Sequence, residues 1–192
     1  MVYLGMLHIQ FTPFPQLETE RLLLRQQTAA DKDDFFYLRS HPEIMRFIPR
    51  PLHQTPDETL QFIDLLNNAI AGNEAINWVI TLRSQPARVI GSIGYVRMKK
   101  ENYRAEVGYL LHDQFRGLGI MHEALQAVLD YGFSVMQLHS VEAVIDPANT
   151  ASANVLEKSG FIREGYFRED FFYNGVFTDT AYYAILASDR RS

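Results

Sequence analysis

Two glycines, Gly117 and Gly119, stand two residues apart in the stretch VGYLLHDQFRGLGIMHEALQAV (107–128), where an apolar strand-like run gives way to an amphipathic helix. Glycines at the mouth of a helix remove the side chains that would keep a ligand off the backbone. The first helical turn also offers unpaired N–H groups and the positive end of a dipole. The pair therefore suits an anion such as a pyrophosphate, laid over the backbone of residues 116–121, with Arg116 adding charge beside it. A tight turn with no ligand is the plain alternative. No Gly-Lys-Ser/Thr follows, so this is not a Walker loop, and His122 takes the place of the third glycine in a dinucleotide fingerprint.

Other chemistry-bearing residues are few. Asn149 and Ser152 lie three apart on a short helical segment, one turn, so their side chains can point the same way. His112, His122 and His139 lack a compact ligand spacing with carboxylates and read as solvated histidines, not as a metal site. The chain has no cysteine, which removes disulfides, thiolate metal sites and a thiol nucleophile.

The elements that must position these groups follow from periodicity. RLLLRQQ (21–27) reads as a first strand, and a helix led by Thr28 follows with Phe35, Phe36 and Leu38 as apolar anchors. HPEIMRFIPRPL is a short helix or turn closed by prolines. The next helix has Thr55 as cap, Pro56 at its first position, Glu58 completing a capping box and Gly72 as its stop. Strand-like segments at 76–82, 88–98 and 103–111 form an antiparallel meander. Within them, Gly94 marks a bulge or a close backbone approach. A helix from about Leu118 to Phe133 turns Met121, Leu125, Val128 and Leu129 inward. A strand at 140–146, the short Asn149 helix and a hairpin about Asn174-Gly175 complete the chain. The expectation is an α/β fold of about seven strands in one mixed sheet, with a parallel fork between the fourth and fifth, where a ligand would sit. Trp78 and most other aromatics read as core.

The 192 residues fit a single domain, 1–192, with residues 1–16 as an N-terminal extension that makes a poor signal peptide. Hydrophobic residues are 47% and charged residues 21%, an ordinary globular balance. A net charge of −5 argues against nucleic acid as a partner, and no run is apolar enough to suggest a membrane. A cytoplasmic protein, monomer or homodimer, is expected.

The run Gln114-Phe115-Arg116-Gly117-Leu118-Gly119 resembles the Gln/Arg-x-x-Gly-x-Gly/Ala signature of the GNAT superfamily of acetyltransferases, and it follows a fourth strand as it does there. The segment from Asn149 to Gly160-Phe161 is similar to the next landmark, an Asn-led helix ending in Gly-Phe. LETERLLLR (17–25) and NGVFTDTAYYAIL resemble the branch holding ribosomal-protein N-terminal acetyltransferases, and the match runs from about Leu17 to Leu186. The resemblance implies acetyl-CoA as donor and no metal. Its pyrophosphate would lie on Gln114, Arg116, Gly117, Leu118, Gly119, Ile120 and Met121, and its pantetheine arm along the fourth strand. A backbone N–H near Leu110 or Leu111 would polarise the thioester carbonyl.

Acetyl transfer to an amine needs a deprotonated nucleophile, a polarised thioester and a partner for the leaving thiolate. Without cysteine, direct attack is the economical route. Glu106 is the candidate general base, directly or through water; the competing reading is a cross-strand ion pair with Arg97, Lys99 or Lys100. Asn149 reads as a helix cap or, by the resemblance, as a hydrogen-bond partner of the pantetheine arm. By the same resemblance Ser152 is a proton donor to the thiolate or a contact to the sulfur. Many members carry a tyrosine acid four residues further on, where this chain has Leu156. The acceptor amine stays open between a protein N-terminus and a small molecule such as an antibiotic, polyamine or amino acid. A non-catalytic acyl-CoA-binding module is the remaining alternative.

Overall fold

The computed structural model describes residues 7–191. Among these residues, eight strands form a single sheet in the order β1-β2-β3-β4-β5-β6-β8-β7. They are β1 (Leu17–Glu18), β2 (Leu22–Arg25), β3 (Ile76–Leu82), β4 (Gln85–Lys99), β5 (Arg104–Leu111), β6 (Ser140–Ile145), β7 (Ile162–Tyr173) and β8 (Val176–Leu186). The strand beyond the expected seven is β1, a two-residue bridge that periodicity has too little length to show. All pairings are antiparallel except β5 with β6.

Helices α1 (Lys32–Ser40), α2 (Pro42–Met45) and α3 (Pro56–Ala71) separate β2 from β3, while α4 (Ile120–Ser134) and α5 (Thr150–Lys158) flank β6. Thr55 caps α3 by accepting from the Glu58 N–H at 3.3 Å. The Glu58 carboxylate reaches back to the N–H of Gln54, one residue before the cap, so the capping box is displaced by one position. Asn174 and Gly175, both with positive φ, turn the β7–β8 hairpin.

Two apolar cores lie on opposite faces of the sheet. One is built from Trp78, Tyr95, Leu125, Val128, Leu129 and Leu156 under α4 and α5; the other from Phe35, Leu38, Ile63 and Val79 under α1 and α3. Leu7 and Phe11 of the N-terminal segment belong to the first core, and the Pro15 carbonyl accepts from the Trp78 indole at 2.6 Å. The segment from residue 7 is therefore integral to the packing; the earlier part of the expected extension lies outside the described residues. Gly94 is a close approach: a Cβ there would sit 2.2 Å from the Ile76 carbonyl oxygen. The bulge falls two residues later, between Tyr95 and Arg97.

Candidate active site

The site begins where β5 and β6 part. Their parallel register covers Arg104↔Ser140, Ala105↔Val141 and Glu106↔Glu142 and then stops. Beyond Glu106, β5 keeps its antiparallel partner β4 but loses its parallel one, which opens a fork. The His112 N–H donates to the Ile90 carbonyl at 2.8 Å. In the β4–β5 register, hydrogen-bonded pairs alternate with non-bonded ones, so Gly108 and Leu110 turn their backbone groups toward β4. Tyr109 and Leu111 turn theirs away from it, into the fork. Of Leu110 and Leu111, only Leu111 turns its N–H into the fork.

At the end of β5, a 3-10 turn (Asp113–Phe115) leads into the glycines. Gly117 and Gly119 have φ of 76° and 75°, the left-handed region that side chains disfavour. A Cβ on Gly117 would meet nothing within 4 Å, and one on Gly119 would meet only Arg21 Nη2 at 3.5 Å. Backbone conformation, not crowding by the protein, demands glycine here. Gly119 caps α4, which therefore begins at Ile120, two residues later than expected. The bond from Glu123 N to the Gly119 carbonyl, 3.0 Å, is an early helical rung. The amides of Ile120, Met121 and His122 precede it at the end of the helix that attracts anions. The side chains of Ile120 and Met121 are buried in the core, so only their backbone is available to a ligand.

Sequence reasoning missed Arg21, in the turn between β1 and β2. Its Nε lies 2.6 Å from Glu123 Oε2, and its Nη1 donates to the Leu118 carbonyl at 3.0 Å. Glu123 also accepts from the Thr19 hydroxyl at 2.5 Å and the Arg21 N–H at 3.0 Å. Burial works to raise the Glu123 pKa, but these hydrogen bonds hold it below the usual value. The clamp fixes the glycine turn against the first strands. Arg116, exposed beside the glycines, donates one bond to the Glu43 carbonyl on α2 at 3.1 Å, and the Gln114 N–H faces His112 Nδ1 at 3.2 Å. An open groove of ≈ 850 Å³ runs along the outer face of α4 from Arg21 and Gly119 past His122 and Lys158.

Glu106 stands opposite Arg97 in the β4–β5 register, with 2.9 Å between Oε2 and Nη1, so the ion-pair reading is realised. Its carboxyl is nevertheless raised above the ordinary value: burial dominates, Arg97 opposes it, Glu142 adds to it, and Lys99 and Arg50 oppose it. Such a carboxylate is a better proton acceptor than a solvated one. The expected partner Lys99 is drawn away to Glu142, at 2.7 Å, which also holds Arg104 at 2.7 Å.

Asn149 caps α5: its Oδ1 accepts from the Ser152 N–H at 3.1 Å. Ser152 is buried, and its Oγ lies 2.8 Å from the hydroxyl of Tyr109, a residue not singled out above. Strand parity carried the signal. Tyr109 shares a face of β5 with Ala105 and Val107 and packs on the α4/α5 core, whereas Leu110 packs on the opposite core. Glu106 has the parity of Leu110, so Glu106 and the Tyr109–Ser152 pair lie on opposite sides of the strand that edges the fork. Leu156 is fully buried in the core.

His122 bonds the Ser159 hydroxyl at 2.9 Å, and His112 stacks on Tyr37 with 4.6 Å between ring centroids. Among the described residues no group of three His, Asp or Glu side chains is placed to hold a metal, and no helix is long and apolar enough to cross a membrane.

This geometry, a parallel pair that parts beside a glycine-led helix, coincides with what comparison finds. Residues 21–162 match the model of the acetyltransferase (GNAT) domain. The chain belongs to the GNAT acetyltransferase family. It is 32% identical over 173 residues to the uncharacterized N-acetyltransferase YoaA of Bacillus subtilis (strain 168), covering 90% of this chain and 97% of the relative. Among solved structures it is similar to the ribosomal-protein-S5-alanine acetyltransferase from Vibrio fischeri, with a TM-score of 0.79, 25% identity, and 91% of this chain and 98% of that one covered. It shares its fold with the spermidine N-acetyltransferase from Vibrio cholerae, solved in complex with CoA and spermine: TM-score 0.79, 24% identity, 91% of this chain and 100% of that one.

Proposed function

We propose that this acetyltransferase moves the acetyl group of acetyl-CoA to the α-amine of a protein N-terminus in the cytoplasm. The observation that carries the donor half is the left-handed Gly117/Gly119 turn set at the open end of the β5–β6 fork. It presents the helix amides of residues 120–122 to a pyrophosphate, with no protein atom beyond the chain neighbours within 4 Å of a Cβ at Gly117. Bound there, acetyl-CoA supplies an activated acyl group as a thioester. The Leu111 N–H, facing the fork, donates to the carbonyl oxygen as charge develops on it. Glu106 accepts the proton of the attacking amine, directly or through a water. Ser152 donates to the sulfur from the other side of the strand.

The acceptor half rests on charge. A polyamine carries several ammonium groups and would need several unpaired carboxylates. Around Glu106 stand Arg97, Lys99 and Arg50, and the neighbouring carboxylate Glu142 is already held by Lys99 and Arg104. That setting suits a single amine followed by a peptide backbone. Likeness to a ribosomal-protein acetyltransferase supports the same reading. The test is a panel of N-terminal peptides and polyamines read by released thiol. Peptides are expected to give the higher kcat/KM; faster turnover with spermidine would refute the acceptor assignment.

A further inference from the structure

Leu156 stands where the family resemblance implies a tyrosine, yet a phenol is present, supplied by the strand. The Tyr109 hydroxyl lies 2.8 Å from Ser152 Oγ, and Leu156 is buried in the core one turn beyond Ser152. We propose that Tyr109 is a positioning residue for Ser152: it donates a hydrogen bond to Ser152 Oγ, which leaves the serine's own proton free for the departing sulfur. The inference rests on the acetyl-transfer reading above.

Direction follows from chemistry. A phenol is a stronger acid than an aliphatic alcohol, so between the two hydroxyls the phenol is the better donor. Burial pushes the Tyr109 hydroxyl up to about 12, against a lowering effect of its bond to Ser152, so it keeps its proton at working pH. A thiol ionises near ~8.5, well below that, and cannot draw the phenolic proton away. Tyr109 therefore stays neutral throughout. As the amine's C–N bond forms and the C–S bond breaks, the C–S electron pair moves onto sulfur as a thiolate. Ser152 donates a hydrogen bond to that thiolate, and the proton lost by the amine goes to Glu106 or water. No proton leaves the hydroxyl pair.

Asn149 and Tyr109 thus fix Ser152 from two directions. The first bonds its backbone N–H and the second its side-chain oxygen. A bond that strengthens as charge develops on sulfur acts on kcat more than on binding.

Tyr109→Phe removes the hydroxyl and keeps the ring. Its kcat should fall about tenfold while the Kd for coenzyme A, measured by calorimetry, stays within about twofold. Ser152→Ala should lose at least as much, and the double variant should be no slower than Ser152→Ala alone, because the two act as a unit. Fluorotyrosine placed at position 109 keeps the hydroxyl as a stronger donor and should hold kcat at or above the wild-type value. That variant also separates the bond from packing if Tyr109→Phe folds poorly. Wild-type kcat in a folded Tyr109→Phe protein, losses that multiply in the double variant, or a fluorotyrosine protein that slows tenfold would each overturn the proposal alone. A wild-type protein that binds coenzyme A yet releases no thiol from acetyl-CoA with any amine would overturn the transferase reading, and this proposal with it.

Discussion

Glu106 and Arg97 face each other across β5 and β4 with 2.9 Å between carboxylate and guanidinium, and burial still leaves the Glu106 pKa above its ordinary value. The two influences oppose each other, so they can be separated. Glu106→Gln should lower turnover by roughly a hundredfold or more and leave coenzyme A affinity nearly unchanged. Arg97→Ala should do something different. Removing the cation raises the Glu106 pKa further, and a base is active only above its pKa. The acid limb of kcat/KM against pH should therefore move to higher pH, with the plateau retained. An acid limb that stays in place would show that another group, or the amine itself, sets the profile.

Gly119 tests the glycine turn. Its φ of 75° is costly for a β-branched residue, while the nearest protein atom to a Cβ is a flexible Arg21 nitrogen at 3.5 Å. Gly119→Val should weaken coenzyme A binding at least tenfold, about 1.4 kcal/mol. Gly119→Asn should bind better than Gly119→Val, since asparagine tolerates the left-handed region. Equal losses in calorimetry would mean that bulk, not conformation, is what the site rejects.

Gly94 is constrained for the opposite reason, by crowding at ordinary φ. A methyl there would lie 2.2 Å from the Ile76 carbonyl oxygen and 2.8 Å from Asn77 Cα, both backbone atoms that cannot swing away. Gly94→Ala should destabilise the fold by about 2 kcal/mol or more. Chemical denaturation reads this directly, and an unchanged midpoint would contradict the β3–β4 spacing.

What could be read in the sequence follows how locally each feature is encoded. The inward face of α4, the Thr55 cap and the Asn174-Gly175 turn depend on neighbours a few residues away, and the chain states them openly. The parallel fork was legible because a helix between two strands leaves few other topologies. The clamp of Arg21 on Glu123 joins residues 102 apart, and no local pattern marks it. Arg116 is legible as a charge beside the glycines, but its bond to the Glu43 carbonyl joins residues 73 apart and has no local mark. Tyr109 lies between these cases. Its parity was visible in the strand, but the serine it meets comes from a helix 43 residues on.

Asn149 serves two readings at once, and a single pair of substitutions divides them. Its Oδ1 accepts from the Ser152 N–H at 3.1 Å, which caps α5 and sets where Ser152 stands. The amide nitrogen of the same side chain is the group left to donate toward a pantetheine carbonyl. Asn149→Asp keeps an oxygen that can cap, and adds a negative charge favoured at a helix N-terminus, but it removes the donor. Asn149→Ala removes both. If the cap were the whole role, the aspartate variant would match wild type in melting temperature and in coenzyme A affinity, and only the alanine variant would lose about 1 kcal/mol of stability. With a ligand contact as well, the two measurements part. The expected outcome is an aspartate variant as stable as wild type that binds coenzyme A about tenfold more weakly, a loss near 1.4 kcal/mol. Wild-type affinity in that variant would leave Asn149 a cap and nothing more.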